Sequence, residues 1–192
     1  IGHHVVVEED CIIGDQCTVM HNSVIMARTV IGNNVVIGCN NTIGNYGFGY
    51  DKDENGNYQL LQHLGNVVIE DNAEIHNNVC IDRGTLGSTV IQENSKIDNH
   101  VHIAHNVIIG RNSLVIANSM IGGSVKIGAN CWIAPSVSIK NQIEIGDDAL
   151  LGMGAVVLKS VENGQTVIGN PAVSLEEHKS WSIVRKKLIN KS

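Results

Sequence analysis

Aliphatic residues recur every six positions along most of the chain. A first run carries Ile1, Val7, Ile13, Val19, Ile25, Ile31, Ile37 and Ile43, and a short second run carries Ile69, Ile75 and Ile81. A third holds phase from Ile91 through Ile97, Ile103, Ile109, Val115, Ile121, Ile127, Ile133, Ile139 and Ile145 to Leu151. Gly often follows the aliphatic directly, as at Gly14, Gly32, Gly110 and Gly128, and a small or β-branched residue comes four positions after it, as at Ser23, Thr29, Ser113 and Val125. A sandwich of short strands predicts alternation with irregular spacing, and neither is seen. A fixed hexad predicts a parallel β-helix: each hexad makes a short strand and a turn, and three hexads close a triangular coil. The 22 hexads make about seven coils. The aliphatics point inward and stack coil on coil, each worth roughly 1.5–3 kcal/mol of burial. Asn, Asp and Gly at the corners accept the positive φ that a sharp corner demands.

Period alone does not set the hand of the solenoid. The hexad resembles that of hexapeptide-repeat proteins in general, which implies a left-handed parallel β-helix. Two interruptions break the count. Between Ile43 and Ile69 the spacing is twenty residues too long, and the surplus is the polar segment 47–66. An insertion that keeps phase on both sides is a loop thrown out from one corner, where solenoids place binding elements. Between Ile81 and Ile91 there are four extra residues, around Arg83, Gly84 and Thr85. The repeat ends after Leu158; 161–172 reads as loop, and 174–190 as a helix whose apolar side is Leu175, Trp181, Ile183, Val184 and Leu188. The expected organisation is thus a β-helix over 1–158 and a C-terminal loop with a capping helix over 159–192.

Composition fits a narrow solenoid: 43% of residues are hydrophobic but only 3% aromatic. A net charge of −6 without a basic stripe speaks against nucleic acid as partner. No apolar run is long enough to span a bilayer, and no secretory segment opens the chain. The five cysteines form no CxxC pair; Cys11, Cys17 and Cys131 take inward small-residue positions and read as buried free thiols. A cytoplasmic setting is expected. The chain opens at Ile1 already in phase, so a fragment or descendant of a longer protein is expected too. The last residue of each hexad faces out, and every third hexad shares a face. Lys96, Leu114, Trp132, Leu150 and His102, Met120, Ser138, Val156 are apolar rows, while Ile108, Lys126, Glu144 is more polar. Unlike faces that meet in a closing ring imply a homotrimer.

Chemistry on a solenoid sits at outward corners. The stretch 96–110 holds His100, His102 and His105. His105 is third in its hexad, a corner facing out, and an imidazole there can take a proton from an attacking amine or hydroxyl near neutral pH. Asp98, Asn99 and Asn106 are its polar neighbours in sequence, with Asp98 expected close to the same corner. The insertion carries Phe48, Tyr50 and Tyr58 and is expected to contact substrate or a neighbouring subunit.

GFGY (47–50), LGNVVIEDNAEI (64–75), IDRGT (81–85), KIDN (96–99) and IAHN (103–106) occur in this order and at these spacings. They resemble the core of the UDP-3-O-(3-hydroxyacyl)glucosamine N-acyltransferases of lipid A biosynthesis, over roughly residues 30–154. The resemblance implies transfer of an acyl group from acyl carrier protein or coenzyme A to the amine of a nucleotide-linked sugar, with no metal. It makes His105 the general base and Gly123 the backbone donor to the oxyanion. Asp98, Asn99, His102, Asn106, Phe48 and Tyr50 are then substrate-binding. Three features depart from that pattern. The family's N-terminal uridine-binding domain is absent, Gln142 stands where a second active-site histidine is usual, and GMGAVVL (152–158) replaces the Met-rich end of the acyl groove. VIGNPA (167–172) instead resembles the coenzyme A-binding end of hexapeptide acetyltransferases, which makes Gly169 and Asn170 donor-binding and an acetyl-CoA-dependent sugar O- or N-acetyltransferase the alternative. Two other readings rank lower. A trimeric zinc carbonic anhydrase needs three convergent imidazoles, and the His100/His105 pair is out of its hexad positions. A non-enzymatic scaffold predicts no polar cluster at a groove.

Overall fold

The computed structural model describes residues 1–189, and at position 187 the backbone alone. The expected left-handed parallel β-helix is the architecture of the protein. Strands of two to four residues stack into three parallel sheets of eight, seven and nine strands, the last ending in one antiparallel strand. Most strands end on the inward aliphatic. One column pairs Ile25, Ile43, Ile81, Ile103, Ile121, Ile139 and Val157 in register, coil after coil. With eight strands on one face, the stack exceeds the seven coils expected, because rungs beyond Leu151 also join it. Replacing Ile97, which is fully buried, with Ala is expected to lower unfolding free energy by about 2–5 kcal/mol, read from the shift in the urea midpoint.

The fourth hexad position turns the corner with φ near +60°, as at Asp10 (57°), Asn22 (60°), Asn112 (56°) and Gln142 (60°). Asn tolerates this region best among residues with a Cβ, and it fills most such corners. The small inward position has its own logic. Ser23, Ser95 and Ser113 donate to the carbonyls of Gly38, Gly110 and Gly128 at 2.7–2.8 Å. Cys17 and Cys131 make the same bond at 3.0 and 3.1 Å, to Gly32 and Gly146. A hydroxyl or thiol there is buried but satisfied. All five cysteines are free; Cys131 is buried, while Cys11 and Cys17 are only half-buried.

Three parts depart from the sequence reading. The insertion is a β-hairpin, Tyr50–Lys52 against Tyr58–Leu60. The segment after Leu158 is not a plain loop: Thr166–Gly169 continues the nine-stranded sheet, and Ala172–Ser174 folds back on it. Its register pairs Leu151 with Val167 and Ile145 with Val161, so this coil is two residues short and falls out of the hexad count. The helix Leu175–Ile189 forms, but Trp181, Ile183, Val184 and Leu188 are 55–66% exposed, so in the single chain it covers no open coil edge. Residues 190–192 of the expected C-terminal segment lie outside the described residues. No helix among the described residues is long and apolar enough to cross a membrane.

Candidate functional site

His105 and Gly123 stand one coil apart at the same corner, where the eight-stranded sheet passes to the seven-stranded one. The two are in close approach: a Cβ on Gly123 would lie 2.6 Å from His105 Nε2 and 2.8 Å from its Cε1. Glycine at 123 is what makes room for the imidazole. Its N–H makes no hydrogen bond among the described residues, while its carbonyl accepts from Gln142 N–H at 2.9 Å. An unused backbone N–H therefore sits beside the ring.

The tautomer of that ring follows from Asn106. The Asn106 amide is oriented twice over: Nδ2 donates to Leu86 O at 2.6 Å, and Oδ1 accepts from Thr85 N–H at 2.9 Å. Oδ1 then faces His105 Nδ1 at 3.2 Å, with Thr85 Oγ1 at 3.4 Å. An oxygen with its orientation fixed this way can only accept, so Nδ1 carries the proton and Nε2 is left with a lone pair toward the open side. Asn106 is thus a positioning residue for His105.

The two phase breaks build the walls. The four-residue bulge after Ile81 bonds the returning insertion, with Leu64, Gly65 and Asn66 N–H donating to Thr85, Gly84 and Gly87 carbonyls. Buried Arg83 ties this bulge down through Gly44 O and Ala27 O, and its guanidinium lies over Tyr46. His63, at the end of the insertion, is 2% exposed and packs edge-to-face on His105 with ring centroids 5.4 Å apart. Its Nδ1 donates to Leu61 O at 2.8 Å. Gly47 lies against both residues, since a Cβ there would come within 2.9 Å of His63 Nε2 and 3.2 Å of His105 Cβ.

Phe48 and Tyr50 come together, ring centroids 5.0 Å apart, and with His102 they line a cavity of about 260 Å³ that also holds Asp82. Burial pushes the Asp82 carboxyl up to about 7 and pulls His102 down. Burial is the cause of both shifts, and the two side chains lie 3.7 Å apart, His102 Nε2 to Asp82 Oδ2. The sign for stability follows from linkage. Between the ordinary carboxylate range and about 7 the folded chain holds a proton the unfolded chain has released, so stability falls as pH rises through that window. Urea midpoints measured from pH 4 to 8 are expected to fall more steeply for the wild type than for Asp82→Asn.

Asp98 and Asn99 are not part of this cluster. One hexad step moves to the next corner of the triangle, so the expectation that Asp98 lies close to His105 is corrected. Asp98 accepts from Asn99 N–H at 2.7 Å and Ala117 N–H at 3.2 Å and lies 3.7 Å from His76 Nδ1. Asn99 Oδ1 accepts from Asn77. Gly169 and Asn170 form the turn of the C-terminal hairpin, in a different sheet edge from His105. His100 stands at the Asp98 corner, and no three His, Cys, Asp or Glu side chains among the described residues gather closely enough to hold a metal ion. Sequence reasoning passed over His63, Thr85 and Asp82. Thr85 and Asp82 lie inside IDRGT, at a phase break, and that signal pointed to them; His63 lies outside the hexad phase and had none.

The fold and the corner site define a hexapeptide-repeat transferase scaffold. A sequence profile of the family "bacterial transferase hexapeptide (six repeats)" matches residues 10–45, 88–123 and 124–159, more than half of the chain. The chain belongs to that family. It is similar to the UDP-3-O-acylglucosamine N-acyltransferase of Wolinella succinogenes, 39% identical over 141 residues, covering 73% of this chain and 43% of that one. UDP-3-O-acylglucosamine N-acyltransferase 2 of Legionella pneumophila (strain Paris) is 39% identical over 135 residues, 70% of this chain and 39% of that one. The chain thus spans about two fifths of the length of these relatives. Among solved structures, a UDP-N-acetylglucosamine acyltransferase from Bacteroides fragilis superposes with a TM-score of 0.70 at 22% identity, covering 88% of this chain and 71% of that one, which shows the shared fold.

Proposed function

We propose that the protein transfers an acyl group from a carrier thioester to the amine of a nucleotide-linked sugar, with His105 as general base. The observation that carries this reading is the pairing of the His105 Nε2 lone pair with the unused Gly123 N–H. The acceptor nitrogen attacks the thioester carbonyl, forming a C–N bond, and its proton passes to Nε2. Gly123 N–H holds the oxyanion of the tetrahedral adduct, a contribution of about 10²–10³ in comparable sites. Collapse breaks the C–S bond, and His105 returns the proton to the thiolate, leaving an amide and a free thiol. The names of the relatives support an amino-sugar nucleotide as acceptor. His102, Phe48 and Tyr50 face that acceptor. Asp98 and Asn99, a corner away, line a groove completed by another subunit. No metal takes part. The screen that tests this is a mass-shift assay of UDP- and dTDP-aminosugars against acetyl-CoA and hydroxyacyl carrier protein. One pair gaining an acyl mass supports it; no transfer from any pair contradicts it.

A second reading, acetyl-CoA-dependent acetylation of a sugar, draws on the C-terminal end. There a cleft of about 440 Å³ lies between 157–161 and 171–174, with Gly169 and Asn170 in the adjoining turn rather than in its lining, room for the pantetheine arm of coenzyme A.

The working unit is a cytoplasmic homotrimer. Trp132 is 47% exposed, Met120 42% and Leu150 39%, and they lie on two different sheets, which suits a ring of unlike faces. Sedimentation equilibrium at micromolar concentration is expected to give three times the chain mass. A mass of one chain would end the trimer and the completed groove.

A further inference from the structure

His63 is the side chain that the returning insertion buries against His105, and the fold treats its two ring nitrogens differently. Nδ1 donates to Leu61 O at 2.8 Å, which fixes the tautomer, because a carbonyl only accepts. Nε2 is then a lone pair. It is the one buried side-chain nitrogen or oxygen without a hydrogen-bond partner among the described residues. Other buried polar side chains are bonded: Ser95 and Ser113 to glycine carbonyls, Asn41 to Val79 N–H and His76 O. A buried acceptor with no donor is costly and calls for an explanation.

Its surroundings supply one. A Cβ on Gly47 would lie 2.9 Å from His63 Nε2 and 3.3 Å from His105 Cδ2, so both atoms border the same methyl-sized space. The two rings stand edge-to-face, 70° apart in plane. His105 makes no ion pair among the described residues, and its Nδ1 meets only neutral oxygens, Asn106 Oδ1 and Thr85 Oγ1. A proton taken up at His105 Nε2 therefore leaves a positive ring with no carboxylate beside it. The lone pair of His63 is the buried polar group that faces this charge, in a setting where low dielectric strengthens such an interaction. An interaction idle in the resting protein and made only as charge develops lowers a barrier instead of tightening binding.

We propose that His63 is a positioning residue for His105, whose buried Nε2 lone pair steadies the positive charge that the His105 ring acquires on taking a proton. The proposal goes beyond the transfer reading above and rests on it only for the source of that proton.

Two variants separate the lone pair from the packing. His63→Phe keeps a ring against His105 and removes the acceptor; His63→Gln gives up the ring and can return an oxygen to the place of Nε2. Both lose the bond to Leu61 O, so that bond cannot account for a difference between them. On the acceptor and donor that the wild type uses, kcat should fall about tenfold in His63→Phe and by less than about threefold in His63→Gln, with KM within about twofold in both. The fall is smaller than the roughly 10²–10³ of a direct contact because no hydrogen bond joins the rings. In the His105→Ala background His63→Phe should change nothing further. A second readout needs no substrate: carbethoxylation of His105 by diethyl pyrocarbonate, located by peptide mass, in which the ring becomes positive as it attacks the carbonyl carbon. Its rate should fall about three- to tenfold in His63→Phe and stay near the wild-type value in His63→Gln. If the phenyl variant does not fold, His63→Asn, which keeps an N–H for Leu61 O without an acceptor at Nε2, takes its place with the same expectation. Equal carbethoxylation rates in the two variants, equal kcat values where transfer occurs, or a wild-type His105 that does not react would each overturn the proposal. Carbethoxylation that follows the acceptor, without acyl transfer from any pair, would keep this role of His63 and remove the transfer reading; transfer with equal variants would do the reverse.

Discussion

Replacing His105 with Ala is expected to lower kcat by about two to four orders of magnitude on the acceptor and donor that the wild type uses. The expectation follows from the Nε2 lone pair that Asn106 leaves facing outward, because without it the attacking amine has no neighbour to take its proton. Assembly mass and urea midpoint should stay at their wild-type values, since His105 is a half-buried corner residue and the core columns do not include it. His102→Ala is the control. It sits on a strand facing outward, so its loss should raise KM or weaken assembly more than it lowers kcat. Wild-type turnover in His105→Ala would remove the general-base assignment.

Gly123→Ala is the second large effect. A methyl group there would lie 2.6 Å from His105 Nε2, closer than real side chains approach, so the ring must turn away or the corner must shift. A displacement of about 1 Å at a reacting group can cost about 10²-fold, and kcat is expected to fall by at least that much. Gly123 is not in the positive-φ region, so the substitution brings no backbone strain of its own and the unfolding midpoint should move little. Because the methyl acts through His105, the double variant His105→Ala/Gly123→Ala should be little worse than His105→Ala alone. A double variant slower by the product of the two single effects would show that Gly123 acts independently of the ring.

Much of this molecule was legible in the chain because a solenoid is nearly one-dimensional. Hexad phase alone assigned the inward positions of Ile97, Ile103 and Ile109, one in each sheet, and the outward position of Trp132, and stacking repeats every coil, so each local reading was also a tertiary one. What escaped was whatever leaves the phase. The last coil is two residues short, and Val161 and Val167 could not be counted as rungs. The hairpin in the insertion had a signal, Asn55–Gly56 between Tyr50 and Tyr58, but the segment's polarity suggested loop. The Asp98 placement failed for a geometric reason: neighbours in sequence by one hexad occupy different vertices, whereas residues eighteen apart, such as His105 and Gly123, share one. The helix residues Trp181 and Val184 were expected against the coil end, and no periodicity argument could show that the chain turns them outward.

The central claim is that an amine receives the acyl group at the His105 corner. The direct measurement is the mass of the nucleotide-sugar product before and after alkaline hydroxylamine, which cleaves esters and thioesters but spares amides. Wild-type protein should yield a product whose added acyl mass survives the treatment, with His105→Ala yielding almost none. An added mass lost to hydroxylamine would place the acyl group on a hydroxyl, and a stable product formed equally well by His105→Ala would contradict the role of the corner itself.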